Sequence, residues 1–199
     1  MKVVNLVVED RLSEAVLKRI MNDFKLYPGT SFGLQGNGYI KKRIHAFQQA
    51  ARYTPYIVLT DLDDNPCPPQ LIHSWLGAAI VEPKFLFRIA VREIETWLLA
   101  DKPNITSYLG VSEHCIPNDV ERQISNPKEF LIDLAKRSRK KDIKEDIAPS
   151  NRSSAKYGKN YNGALIKFVS QIWNYNTAKH HSPSLDSALG AISRFAANS

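Results

Sequence analysis

The run Tyr56-Ile57-Val58-Leu59-Thr60-Asp61-Leu62-Asp63-Asp64-Asn65 limits the folds open to this chain more than any other stretch. Ile57, Val58 and Leu59 are apolar and mostly β-branched, as in a strand covered on both faces. Acids follow at once. Residues two apart in an extended chain project to the same side, so Asp61 and Asp63 leave the strand end together. In open α/β sheets, ligands bind beyond the carboxyl ends of strands. Two carboxylates crowded there repel each other unless a cation lies between them. An all-oxygen site with open positions suits Mg²⁺ or Mn²⁺ better than zinc. A solvated acidic turn, helped by Asn65 and Pro66, accounts for an isolated Asp-x-Asp more often than a site does. The decision therefore falls to the rest of the chain.

Taken in order, Met1 to Val8 reads as a first strand that ends in Glu9 and Asp10. Leu12, Ala15, Val16, Ile20 and Phe24 then recur at helical spacing, with Ser13 able to cap the helix and Pro28-Gly29 to stop it. Thr30 to Leu34 is a short second strand, and Tyr39 to Arg52 a second helix. After the central strand, Gln70 to Ala79 reads as helix, Lys84 to Val91 as strand and Arg92 to Asp101 as helix. Strands alternating with helices predict an α/β fold with a mostly parallel sheet flanked by helices. Beyond Asp101 the strand pattern is lost. Helices are expected over Pro103–Leu109, Pro127–Ser138, Tyr161–Trp173 and Ser184–Ala196. The expected division is a core over 1–101 and a helical C-terminal half over 102–199 that packs on it.

Strand ends gather the acids: Glu9 after the first, Asp61 and Asp63 after the central one, Glu93 or Glu95 after the last. In a parallel sheet these ends share one edge. Each alone has a plain explanation, Glu9 as a cap and Glu95 on a solvated helical face. Their coincidence is what a divalent cation held against a phosphate requires. The formal net charge of +7 and a pI near 9.4 favour a polyanionic partner such as nucleic acid. A basic protein that only bound nucleic acid would have no use for clustered carboxylates.

These residues resemble the Toprim superfamily of topoisomerases, primases and nucleases. Val7-Val8-Glu9-Asp10 with Ser13-Glu14 is similar to its first acidic element, and Leu59-Thr60-Asp61-Leu62-Asp63 to its Asp-x-Asp. Glu95-Thr96-Trp97-Leu98-Leu99-Ala100-Asp101 resembles an element of small bacterial Toprim-like proteins and of the nuclease domain of OLD-type defence proteins. The likeness covers about the first half of the chain, with a weaker echo around Ser154 to Lys159. The glycine usual after the first Glu is replaced by Asp10, and the loop to Glu14 is longer. The resemblance implies a Toprim-like sheet in which Glu9 is a metal ligand or general base and Asp61 and Asp63 hold Mg²⁺ (or Mn²⁺). It implies that Glu14 and Glu95 support a second ion, with Glu95 in the catalytic set. It also implies a partner protein such as an ATPase, since this chain has no Gly-x-x-x-x-Gly-Lys-Ser/Thr loop of its own.

Among basic residues, Lys156 and Lys159 flank Gly158 in a loop able to approach a phosphate, beside the Ser153-Ser154 pair. The denser run Lys136 to Lys141 fits a solvated helix end. Arg88 and Arg92 stand beside the last strand's acids, and Arg92 is a candidate substrate contact. Trp75, Trp97 and Trp173 sit among helical apolar residues and read as core. The scattered histidines and the two cysteines lack zinc spacing, and two cysteines make no disulfide framework. No apolar run approaches membrane-spanning length and no signal peptide opens the chain, so no membrane partner and a cytoplasmic location are expected. The function expected is Mg²⁺-dependent cleavage of nucleic-acid phosphodiesters, in bacterial defence by analogy. The alternative is a Toprim-like module that binds nucleic acid or protein without turnover.

Overall fold

The computed structural model describes residues 2–78, 81–150 and 154–198. By compactness the chain divides into two units, Met1–Val91 with Asp186–Ser199, and Arg92–Leu185. The line thus falls at Val91, ten residues before the expected one. The last segment belongs with the first unit instead of the helical half.

The first unit is built on four strands, β1 (Lys2–Val8), β2 (Leu26–Gly33), β3 (Tyr56–Asp61) and β4 (Phe85–Ala90). All pair in parallel, in the order β2-β1-β3-β4. This is the expected α/β architecture. Three helices connect them: α1 (Arg11–Asp23), α2 (Asn37–Ala50) and α3 (Pro68–Leu76). The chain steps from β1 out to β2, then returns past β1 to β3 and β4. Right-handed crossovers put α1 on one face of the sheet and α2 and α3 on the other. The core follows that rule. Val7, Tyr56, Val58, Phe85, Phe87 and Ile89 pack with Ile40, Ile44 and Phe47 of α2 and Leu71 and Trp75 of α3. The alternate residues Leu6, Val8, Ile57 and Leu59 are fully buried on the α1 face.

Asp10, not Ser13, caps α1: its Oδ1 accepts from the Ser13 N–H at 2.8 Å. Pro28 and Gly29 do not stop that helix, which ends at Asp23, but lie inside β2. As an edge strand, β2 has no outer partner for the N–H that proline lacks. β2 ends at Gly33 with φ +97°, where a Cβ would stand 2.1 Å from the Val8 carbonyl oxygen. Only glycine allows that approach. The turn then ties down the end of β1, because Leu34 N donates to Val8 O at 2.9 Å and Gly36 N to Glu9 O at 3.1 Å.

The second unit is helical. It contains α4 (Glu95–Leu99), α5 (Lys102–Leu109), α6 (Val120–Gln123), α7 (Pro127–Lys136), α8 (Lys141–Ile147), α9 (Tyr161–Gln171), α10 (Tyr175–Ala178) and the start of α11 (Pro183–Ala197). The helix expected from Arg92 begins only at Glu95, because Arg92 takes φ +65°, outside the helical region. Trp97 and Trp173 are buried in the second unit and Trp75 in the first, as their apolar settings imply, although α9 ends at Gln171 and leaves Trp173 outside the helix expected to include it. Each of the second unit's indoles finds a polar partner: Trp97 Nε1 donates to Ser184 Oγ at 2.8 Å, and Trp173 Nε1 to Trp97 O at 3.1 Å. Cys67 and Cys115 are free thiols. Among the described residues no helix is long and apolar enough to cross a membrane. Met1, Ala79 and Ser153, included in the expected elements above, lie outside the described residues.

Candidate functional site

In the order β2-β1-β3-β4 the strand direction of travel reverses between β1 and β3. That is the position where open α/β sheets place a ligand. Glu9 follows β1 and Asp61 closes β3, so both stand at this switch point, on one edge of the sheet. Glu9 Oε1 accepts from the Asp61 N–H at 2.9 Å and from the Thr60 hydroxyl. Burial pushes the Glu9 carboxyl above its ordinary range; the two hydrogen bonds oppose this, and the charges of Asp63 and Asp10 add to it. Three acids therefore act on one another here. Asp61 Oδ1 is shielded from solvent.

Asp63 lies past the strand end at φ +49°, in the left-handed region that aspartate tolerates better than most residues. Its Oδ2 accepts from Asn37 Nδ2 of α2 at 2.7 Å. Glu14 points to other partners. Its Oε1 accepts from Lys18 Nζ and from Ser31 Oγ, both at 2.7 Å, and its Oε2 lies 4.0 Å from Arg11 Nη1. Burial pushes its carboxyl up, but Lys18, Ser31 and Arg11 together hold it below the usual range. Its carboxylate already has cations of its own.

Glu95, Arg92, Lys156 and Lys159 all belong to the second unit. Glu95, expected to join the catalytic acids, is 4% exposed and accepts from the Tyr161 hydroxyl at 2.8 Å. Burial pushes its carboxyl to about 7; Glu93 adds to this, while Tyr161 and Lys128 pull against it. Glu93 Oε2 accepts from the Lys128 N–H at the start of α7. The Lys128 ammonium in turn lies 5.2 and 5.1 Å from the rings of Tyr157 and Tyr161. Arg92 Nε is shielded from solvent without a hydrogen-bond partner. Lys156 is exposed. Lys159 Nζ lies 3.5 Å from Glu145 Oε2 and helps line a cavity of about 710 Å³ with Lys141, Lys144 and Tyr157. The loop between them is fixed by Gly158, whose N–H donates to Ile147 O at 2.8 Å. A Cβ there would meet Asp146 O at 2.3 Å.

Thr60, Asn37 and Tyr161 each hold a candidate acid, and none stands out by motif. Thr60 had one legible signal, a hydroxyl within an otherwise apolar buried run. Asn37 and Tyr161 come from other elements, so only the fold brings them in. Among the described residues no group of three His, Cys, Asp or Glu side chains is arranged to hold a metal ion. No family model matches the chain, and neither a curated protein nor a solved structure does.

Proposed function

We propose that this chain is a Toprim-like, Mg²⁺-dependent nuclease that hydrolyses phosphodiesters of nucleic acid. One observation carries the reading. At the switch point of a parallel sheet, Glu9 Oε1 accepts from the Asp61 N–H, and burial first, then the charges of Asp63 and Asp10, raise the Glu9 carboxyl. A hard cation is the natural counterpart of such a set. Mg²⁺ keeps several waters and takes one or two carboxylates plus substrate oxygens, so the donor set of Glu9, Asp61 and Asp63 fits it without three converged ligands. Bound there, the ion supplies the charge neutralisation and water activation that phosphodiester hydrolysis needs. Thr60 and the Asp61 N–H hold Glu9 Oε1, which leaves its Oε2 for a ligand or a proton. Asn37 steadies Asp63 in the same way. Basic residues, among them Lys156 and Lys159, supply the pull on a polyanion. A cytoplasmic location and an ATPase partner belong to this reading.

The second reading, a non-catalytic module for nucleic acid or protein, draws on the lack of a three-ligand group among the described residues. The experiment is a nuclease assay on single-stranded and duplex substrates with Mg²⁺ or Mn²⁺, run beside calorimetric metal titration, for the parent and Asp61→Asn. The substitution keeps the shape and removes the charge. Metal-dependent cleavage by the parent, lost in a folded Asp61→Asn, is the expected result. A parent that neither binds metal nor cleaves leaves the binding module.

A further inference from the structure

Arg88 leaves β4 on the face opposite Phe87 and Ile89, because those two belong to the α2–α3 core and strand neighbours alternate. There its Nη2 donates to Ser187 Oγ of α11 at 2.7 Å, while its Nε is shielded from solvent and has no hydrogen-bond partner. Arg194 follows Ser187 by seven residues and so shares its side of α11. Gly190 lies between them, and Arg194 Nη1 comes within 3.5 Å of where its Cβ would be. Burial first, and the Arg194 charge second, hold the Arg88 guanidinium below its ordinary range. Among the described residues no carboxylate pairs with either arginine.

A half-buried guanidinium beside a second cation costs free energy until an anion meets both. Arginine forks match the oxygens of a tetrahedral oxyanion, and a serine hydroxyl adds a neutral partner. We propose that Arg88, Arg194 and Ser187 form a phosphate-binding site in the first unit. Leu59 pairs with Arg88 and Asp61 with Ala90, so Arg88 shares the face of Asp61, one strand over and two residues back. Strand spacing puts the two Cα atoms roughly 8 Å apart. A phosphate held by the arginines is thus a near neighbour of any phosphate at the carboxylates. That it belongs to a nucleic-acid backbone rests on the proposed function; that the arginine pair takes phosphate does not.

The test is calorimetric titration of inorganic phosphate, in EDTA and at constant ionic strength, into the parent, Arg194→Gln and Arg88→Lys. Arg194 is exposed, so its substitution leaves the fold intact, and thermal melts check both variants. The parent binds, and Arg194→Gln weakens binding about tenfold or more, the loss expected for a charge-assisted contact. Arg88→Lys, which keeps the charge but not the fork, weakens it as well. No binding by the parent, or equal binding by parent and Arg194→Gln, overturns the site. A short single-stranded oligonucleotide then identifies the source of the phosphate. A log–log salt slope reduced by about one in Arg194→Gln marks a backbone phosphodiester; an unchanged slope marks a free phosphate ligand. Phosphate binding in EDTA without any Mg²⁺-dependent cleavage would remove the nuclease reading and leave this site. Cleavage without arginine-dependent phosphate binding would do the reverse.

Discussion

Glu95→Gln isolates the cost of keeping a carboxyl inside the helical unit. Glu95 is 4% exposed, and its carboxyl rises from an ordinary 4.5 to about 7 because burial disfavours the charge. The folded state therefore binds the proton more tightly than the unfolded chain. Stability is full below about pH 4.5 and falls as pH rises towards 7, by up to about 1.4 kcal/mol per pH unit. Over that window the loss amounts to roughly 3 kcal/mol. Glutamine cannot ionise, yet its amide oxygen can still accept from the Tyr161 hydroxyl, so the variant keeps the hydrogen bond and loses the pH dependence. The raised carboxyls of Glu9 and Asp101 act with the same sign, but they are present in both proteins and cancel in the difference. The assay is urea unfolding of parent and variant at half-unit steps from pH 4 to 8.5. Relative to its value at pH 4.5, the variant should gain roughly 3 kcal/mol over the parent by pH 8. Parallel curves would refute the argument, and so would a Glu95 carboxyl seen by NMR to titrate near 4.5.

Thr60→Val removes the hydroxyl that Glu9 accepts from; it should cost about 1–2 kcal/mol and raise the Glu9 carboxyl further, read by urea melts and an NMR titration. Gly33→Ala drives a Cβ into the Val8 carbonyl and should lower stability by more than about 2 kcal/mol, or prevent folding, whereas Gly38→Ala meets nothing within 4 Å and should be mild by the same melts. Lys140 Nζ donates to Ser107 O at 2.7 Å and Tyr108 O at 3.2 Å, at the end of α5, so Lys140→Ala should cost about 1 kcal/mol of stability with little effect on nucleic-acid binding. Lys156→Ala should show the opposite pattern in filter binding across a salt series; equal effects of the two changes on binding would mean that only general charge matters.

The sheet was legible because β1, β3 and β4 are mostly apolar runs, interrupted at Asn5 and Arg88, and a buried parallel strand has little freedom to be anything else. β2 was read too short. Pro28 and Gly29 look like punctuation, yet at an edge the missing N–H costs nothing. Gly29 is needed where Asn5 Oδ1 reaches the Thr30 N–H at 3.0 Å, because a Cβ would stand 2.6 Å from that oxygen. The basic run at Lys136 to Lys141 reads as a solvated helix end, and Lys136 indeed pairs with Asp133 at the end of α7. Lys140 departs from this by serving carbonyls some thirty residues earlier, which no local pattern encodes. At the candidate site, the shared edge of Glu9 and Asp61 follows from strand order, and the spacing of acids along the sequence pointed there. Lys18 stands four residues after Glu14 on α1, a spacing the sequence carries, but the bond from Ser31 was not visible, since Ser31 is brought in by β2. Neither was the burial of Glu95, because all five residues of α4 are buried and a helix covered all round has no polar side to mark by contrast.

The first unit is interrupted: its sheet is complete at Ala90, but its last helical segment begins at Asp186. Lys2 Nζ donates to Phe195 O at 2.5 Å and lies 3.8 Å from the centre of that ring, tying the start of the chain to a segment 193 positions later. On the ribosome the sheet therefore waits while residues 92–185 are made, a delay on the order of five to twenty seconds at roughly 5–20 residues per second. During that interval, the face later covered by α11 meets solvent and whatever chaperones are at hand. The helical unit, continuous in sequence, has no such wait. Shortening the chain by its last dozen residues should thus strand the sheet in its nascent state while sparing the helices. Aggregation on expression, more than any loss at the acids themselves, would be its first symptom.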